Sequence, residues 1–190
     1  MPHFIKSASS FQSWINDQTT ELCFIGRSNV GKSTIINALA NQQIAKSSKT
    51  PGRTQLVNFY DFGTYRLVDL PGYGFMLGSR QTKQKVASII DEYLSKRINL
   101  YAIFQVCDAN VITNLDVEMS KYFQGKFKNH FVILNKIDKQ SMSTYSNKKH
   151  QICKYLKIQP EKLIFISAKN KININQLNKI IHDTLKQIQK

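Results

Sequence analysis

The eight residues Gly26-Arg27-Ser28-Asn29-Val30-Gly31-Lys32-Ser33 fit GxxxxGK[ST], a spacing suited to holding a chain of phosphates. The two glycines let the backbone wrap with its N–H groups turned inward, and a helix that follows adds its N-terminal dipole. Lys32 supplies a cation for the β- and γ-phosphates, and the Ser33 hydroxyl can ligate Mg2+. The plainer reading is an ordinary glycine turn. A strand-like run directly before and a helix-like run directly after favour a nucleoside-triphosphate site.

A second group selects the base. Asn135-Lys136-Ile137-Asp138 and Ser167-Ala168-Lys169 each follow a strand-like run, on the side where open α/β sheets bind ligands. The Asp138 carboxylate can accept from guanine N1–H and from the exocyclic amine. Adenine offers neither donor on that edge, and the carboxylate facing it would be left without partners. Asn135 can meet the six-side oxygen and N7 region, while the Lys136 stem can lie along the ring. Asn-Lys-x-Asp is weak alone; its order behind the phosphate loop makes guanine the expected base, hence GTP and GDP as ligands.

These groups need a scaffold. Strand-like runs Leu22–Ile25, Tyr101–Cys107, Phe131–Leu134 and Leu163–Ile166 alternate with helix-like runs Ser33–Ala40, Gln81–Arg97, Leu115–Phe123, Thr144–Leu156 and Gln176–Ile188. Leu56–Asp61 and Tyr65–Asp69 flank Phe62-Gly63-Thr64 and read as a hairpin. Alternation of this kind predicts a single α/β domain with a mostly parallel six-stranded mixed sheet and helices on both faces. The expected division is an N-terminal extension, residues 1–20, packed on a nucleotide-binding domain, residues 21–190. Two long loops, Asn41–Gln55 and Pro71–Arg80, lie where ligands tend to bind.

Composition narrows the class. The chain has 190 residues, 27 Lys+Arg against 12 Asp+Glu, and 42% hydrophobic residues, enough for one buried core and against full disorder. Its apolar runs are strand-length, well short of the ~20 residues of a spanning helix, so no membrane insertion is expected. The N-terminus shows no charged n-region followed by an apolar h-region, and Cys23, Cys107 and Cys153 are scattered, as reduced core thiols would be. A cytoplasmic location follows. Residues 121–190 hold fifteen lysines against three acids. Lysine excess of this kind suits a polyanion such as RNA, held through phosphates, or simply solvates a surface.

The motifs together resemble P-loop GTPases. The blocks Gly26–Ser33, Lys49-Thr50-Pro51-Gly52-Arg53-Thr54-Gln55 and Asp69-Leu70-Pro71-Gly72-Tyr73-Gly74 resemble more closely the bacterial EngB (YihA/YsxC) family of the TrmE-Era-EngA-EngB-septin-like superfamily. The resemblance implies a Mg2+-dependent GTP switch, monomeric, acting in large ribosomal subunit assembly and needed for cell division and septation. A switch working at the division site through protein partners alone is the alternative. It also implies that Thr54 joins Mg2+ with the γ-phosphate, with Gly52 and Arg53 beside it, and that Asp69 holds the ion through water. Leu70 and Pro71 lead to Gly72, which offers its N–H to the γ-phosphate. Arg27 and Arg53 can reach phosphates or face solvent. Tyr73 stands where many GTPases carry a water-positioning Gln, so slow intrinsic hydrolysis is expected. Asn29 has two readings, a residue that fits a tight turn or one that helps hold K+ against the phosphates. Hydrolysis rates in K+ and Na+ at equal ionic strength separate them.

Overall fold

The computed structural model describes residues 1–46, 56–74 and 80–188. Seven strands form one sheet: β1 (His3–Ala8), β2 (Glu21–Gly26), β3 (Val57–Asp61), β4 (Arg66–Asp69), β5 (Leu100–Asp108), β6 (His130–Asn135) and β7 (Leu163–Phe165), in the order β1-β3-β4-β2-β5-β6-β7. Pairs β4·β2, β2·β5, β5·β6 and β6·β7 are parallel, whereas β1·β3 and β3·β4 are antiparallel. Around the sheet stand α1 (Lys32–Ala40), α2 (Arg80–Lys96), α3 (Asn114–Lys126), α4 (Met142–Leu156) and α5 (Ile174–Lys186).

The central strand β2 is buried at all six positions, as a parallel strand covered on both faces must be. Its side chains alternate. Leu22 and Phe24 join Ile35 and Ile36 of α1 and Leu177 and Ile181 of α5. Cys23 and Ile25 join Ile89, Ile90 and Tyr93 of α2 and Phe123 of α3 on the other face. Near the β7 edge, Val132 and Leu134 pack with Val117, Cys153 and Leu156 beneath α3 and α4. Cys23, Cys107 and Cys153 are free and buried, and burial pushes each thiol up from its ordinary range.

The sheet has seven strands where six were expected. The extra one is β1, an edge strand whose residues are exposed except Ala8, so it shows no hydrophobic alternation to read. Residues behind it are tied down by charge. Buried Glu21 accepts from Arg66 (2.9 Å), Arg97 (2.7 Å) and the Tyr93 hydroxyl (2.7 Å). Arg66 also bonds Asp17 at 2.6 Å and draws its carboxyl down to about 2. The hairpin and the five helix-like runs fall on elements within a few residues of their expected ends.

Candidate functional site

Because β2, β4, β5, β6 and β7 run parallel, the segments leaving β2, β4, β6 and β7 emerge at one edge of the sheet. Four stretches therefore converge there: Gly26–Ser33, Asp69–Tyr73, Asn135–Asp138 and Ser167–Lys169.

The phosphate loop is wound by two residues with positive φ, Asn29 at 63° and Gly31 at 101°. Asparagine tolerates that region better than most residues. At Gly31 a β-carbon would meet Asn135 Nδ2 at 2.3 Å, so both the dihedral and the neighbour demand glycine. Lys32 opens α1 and is buried to 8% exposure, with Nζ 4.0 Å from Asp69 Oδ1. Ser33 Oγ donates to Asp69 Oδ2 at 3.1 Å.

Asp69 is itself 1% exposed, and its Oδ1 has no hydrogen-bond partner. Burial raises its carboxyl above the usual carboxylate range, against the pull of Lys32 and Ser33. A buried, under-satisfied carboxylate oxygen beside a serine hydroxyl is an oxygen donor set suited to Mg2+, which takes one or two protein oxygens and leaves the rest to phosphate and water. Gly72 lies against the loop: a β-carbon there would meet Ser28 N at 2.9 Å and Ser28 Oγ at 3.1 Å. Leu70 turns fully into the core, so only its main chain is available at the edge. Gly52, Arg53 and Thr54 lie outside the described residues.

At the other end, Asp138 is exposed and Oδ1 accepts from Ser167 Oγ at 2.5 Å, while Asn170 N bonds that same hydroxyl oxygen at 3.2 Å. The second carboxylate oxygen makes no hydrogen bond to the described residues. Lys136 Nζ bonds Asn29 O at 2.7 Å and Asp108 Oδ2 at 2.9 Å, so its stem spans from the base loop to the phosphate loop. Ala168 is buried and Lys169 exposed.

Two of the expected site side chains are already engaged within the protein. Asn135, expected to meet the base, is 3% exposed and engaged at both ends: Nδ2 donates to Val30 O at 2.9 Å and Oδ1 accepts from Ala168 N at 3.0 Å. It braces three loops against one another. Arg27, expected to reach phosphate or face solvent, turns its side chain to α3. Its Nε donates to both Asp116 oxygens, at 3.1 and 2.9 Å, and Nη2 donates to Val111 O at 2.5 Å. A buried carboxylate outcompetes open solvent for a guanidinium.

The residues missed in the sequence form a polar chain behind the site. Tyr73 Oη donates to Asp116 Oδ1 (3.0 Å) and accepts from Gln105 Nε2 (2.9 Å), whose carbonyl oxygen faces His130 Nε2 at 3.1 Å. Gln105 Nε2 also donates to Asp116 O, so its oxygen is the acceptor and His130 Nε2 carries the proton. His130 Nδ1 is then a buried acceptor with no partner. A cue did exist for Asp116, since Thr113-x-x-Asp116 is the spacing of a capping box.

His130 makes stability depend on pH. Burial, with Lys162 adding positive charge, holds its pKa down from 6.5 to about 3. Between those values the unfolded chain takes up a proton that the folded chain refuses, so stability falls as pH falls, by ~1.4 kcal/mol per unit. Urea unfolding at pH 7.5 and 5 is expected to show wild type losing about 2 kcal/mol more than His130→Gln. Equal losses would remove His130 as the cause.

Parallel order, phosphate loop and the convergence of four loops at one edge define the class: this is a P-loop GTPase domain. Residues 21–136 match a family model described as 50S ribosome-binding GTPase. A probable GTP-binding protein EngB of Malacoplasma penetrans (strain HF-2) is 52% identical over 181 residues, covering 95% of this chain and 97% of that protein. Its counterpart in Mycoplasmoides gallisepticum (strain R(low / passage 15 / clone 2)) is 46% identical over 185 residues, covering 97% and 100%. The crystal structure of a probable GTP-binding protein engB shares the fold, with a TM-score of 0.74 at 24% identity over 88% of this chain and 100% of that one. The chain belongs to the EngB family of GTPases, and so binds GTP and hydrolyses it to GDP and phosphate. None of its described helices is long and apolar enough to cross a membrane.

Proposed function

We propose that this GTPase is a cytoplasmic, monomeric, Mg2+-dependent switch that acts in assembly of the large ribosomal subunit, with cell division and septation depending on that role. In this reading the main-chain N–H groups of Gly26–Ser33 cradle the phosphates and Lys32 neutralises the β/γ end. Ser33, Thr54 and Asp69, the last through water, hold Mg2+, which when bound draws charge from the β- and γ-phosphate oxygens. Gly72 offers its N–H to the γ-phosphate, with Gly52 and Arg53 alongside. Asp138, fixed by Ser167, accepts from guanine, and Ala168 and Lys169 close that side of the base. Loss of the γ-phosphate removes its contacts with Thr54 and Gly72, which is how the switch is read by a partner.

The observation that carries the ribosomal part is a face of lysines. Lys121 of α3, Lys154 of α4 and Lys157 just beyond it are exposed and line one depression, in the stretch that holds most of the positive charge. Lysines in such an array bind phosphates without reading bases and lose affinity steeply with salt. The matched family's description as ribosome-binding supports the same partner. Co-sedimentation with purified large-subunit particles, in GTP analogue and in GDP at several salt concentrations, tests it. Nucleotide-dependent association that weakens with salt is expected. No association with either nucleotide at any salt would favour a switch that works through protein partners.

A further inference from the structure

We propose that Asp116 is a positioning residue for the triphosphate end of the site: its buried carboxylate anchors Tyr73 and thereby fixes Gly72 against the phosphate loop. The proposal rests on the GTP-binding reading above. Asp116 is fully buried in the first turn of α3, yet it does more than cap that helix. Oδ2 accepts from Thr113 N and Thr113 Oγ1, both at 2.9 Å, which closes the cap. The same carboxylate also takes Arg27 from the phosphate loop and the Tyr73 hydroxyl from the segment after β4. One side chain therefore joins three elements that the chain order keeps apart.

The consequence falls on Gly72. It lies between Asp69, fixed at the end of β4, and Tyr73, whose ring is 6% exposed and whose main chain pairs with that of Arg27. With both flanks held, the Gly72 backbone rests against Ser28, with no room for a β-carbon. An N–H held in place before the ligand arrives spends no free energy on ordering when the γ-phosphate binds. A diphosphate has nothing to gain from that N–H. The anchor should therefore matter for GTP and be nearly silent for GDP.

This also gives Tyr73 a role where a water-positioning amide is absent. Its hydroxyl is committed to Asp116 and Gln105 inside the protein, at 3.0 and 2.9 Å. A side chain so engaged holds the main chain in place and leaves the attacking water to other groups.

The test compares the affinity of the full chain for a non-hydrolysable GTP analogue and for GDP, in wild type, Tyr73→Phe and Asp116→Asn. Tyr73→Phe keeps the ring and removes only the anchoring hydroxyl, so it stays informative if Asp116→Asn fails to fold. In Tyr73→Phe the analogue is expected to bind ~5-fold more weakly while GDP changes less than about twofold, the size of one hydrogen bond acting on one ligand alone. Asp116→Asn, if folded, is expected to move the analogue further in the same direction. Equal loss for both nucleotides, or none for either, would overturn the anchor and leave Asp116 as a helix cap. Wild type that binds neither nucleotide would instead bring down the GTP reading on which the proposal stands.

Discussion

Alanine at Lys32 is expected to weaken GTP binding by on the order of 10²–10³-fold, with hydrolysis lost in proportion. The ammonium is almost buried and lies 4.0 Å from Asp69 Oδ1, so the free protein already keeps it dehydrated beside a charge. Removing one member of a desolvated, hydrogen-bonded charge pair, such as Lys32 would form with phosphate, typically costs about 2–5 kcal/mol, and each ~1.4 kcal/mol is tenfold in affinity. In the bound state the abandoned partner is a phosphate chain carrying several charges, which places this substitution toward the upper part of that range. The free variant suffers as well, because Asp69 keeps Ser33 but loses its only opposing charge among the described residues. Titration with a fluorescent GTP analogue, alongside circular dichroism to establish folding, measures the effect. A folded variant within about threefold of wild type would mean that the phosphates lie elsewhere.

Asparagine at Asp138 is expected to reverse the preference for the base. The carboxylate can accept two donors at once, guanine N1–H and the exocyclic amine. A carboxamide accepts one and sets its own N–H2 against the other, so guanine loses about a hundredfold or more. Xanthine carries a carbonyl where guanine carries that amine, and the variant's N–H2 can donate to it. Ser167 holds Asp138 Oδ1 at 2.5 Å in the free protein and can hold an amide oxygen equally well, so the loop keeps its shape. Competition among GTP, XTP and ATP for the variant is expected to rank XTP first. Uniform loss for all three would mean a damaged loop, and unchanged preference for GTP would remove Asp138 from base recognition.

The phosphate loop and the base loop could be read in the sequence because their chemistry is local: main-chain N–H groups, a lysine and a serine in eight consecutive residues, a carboxylate three residues after an asparagine. The parallel core was legible for a related reason, since strands such as β2 are apolar along their whole length. Other features depend on distances between residues far apart in sequence. Asn135 has the residue type for base contact, but its bonds to Val30 O at 2.9 Å and Ala168 N at 3.0 Å join residues 105 and 33 positions away. Arg27 looked like a phosphate ligand or a solvated cation until Asp116, 89 positions away, supplied a carboxylate. β1 carries no alternation because it covers an edge and leaves most of its side chains in water. Tyr73 shows best what a linear reading lacks. Its departure from glutamine was visible, but its bond to Asp116 and Gln105 depends on how α3 and β5 pack.

Selective seating of a guanine nucleotide, with phosphates on the loop before α1 and the purine edge on Asp138, is what everything else presupposes. Calorimetric titration of the full chain with GDP and with ADP, at saturating Mg2+, tests it without relying on turnover or on a partner. The expected result is one site that binds GDP at least about a hundredfold more tightly than ADP. Equal affinity for the two, or no heat with either, would contradict it.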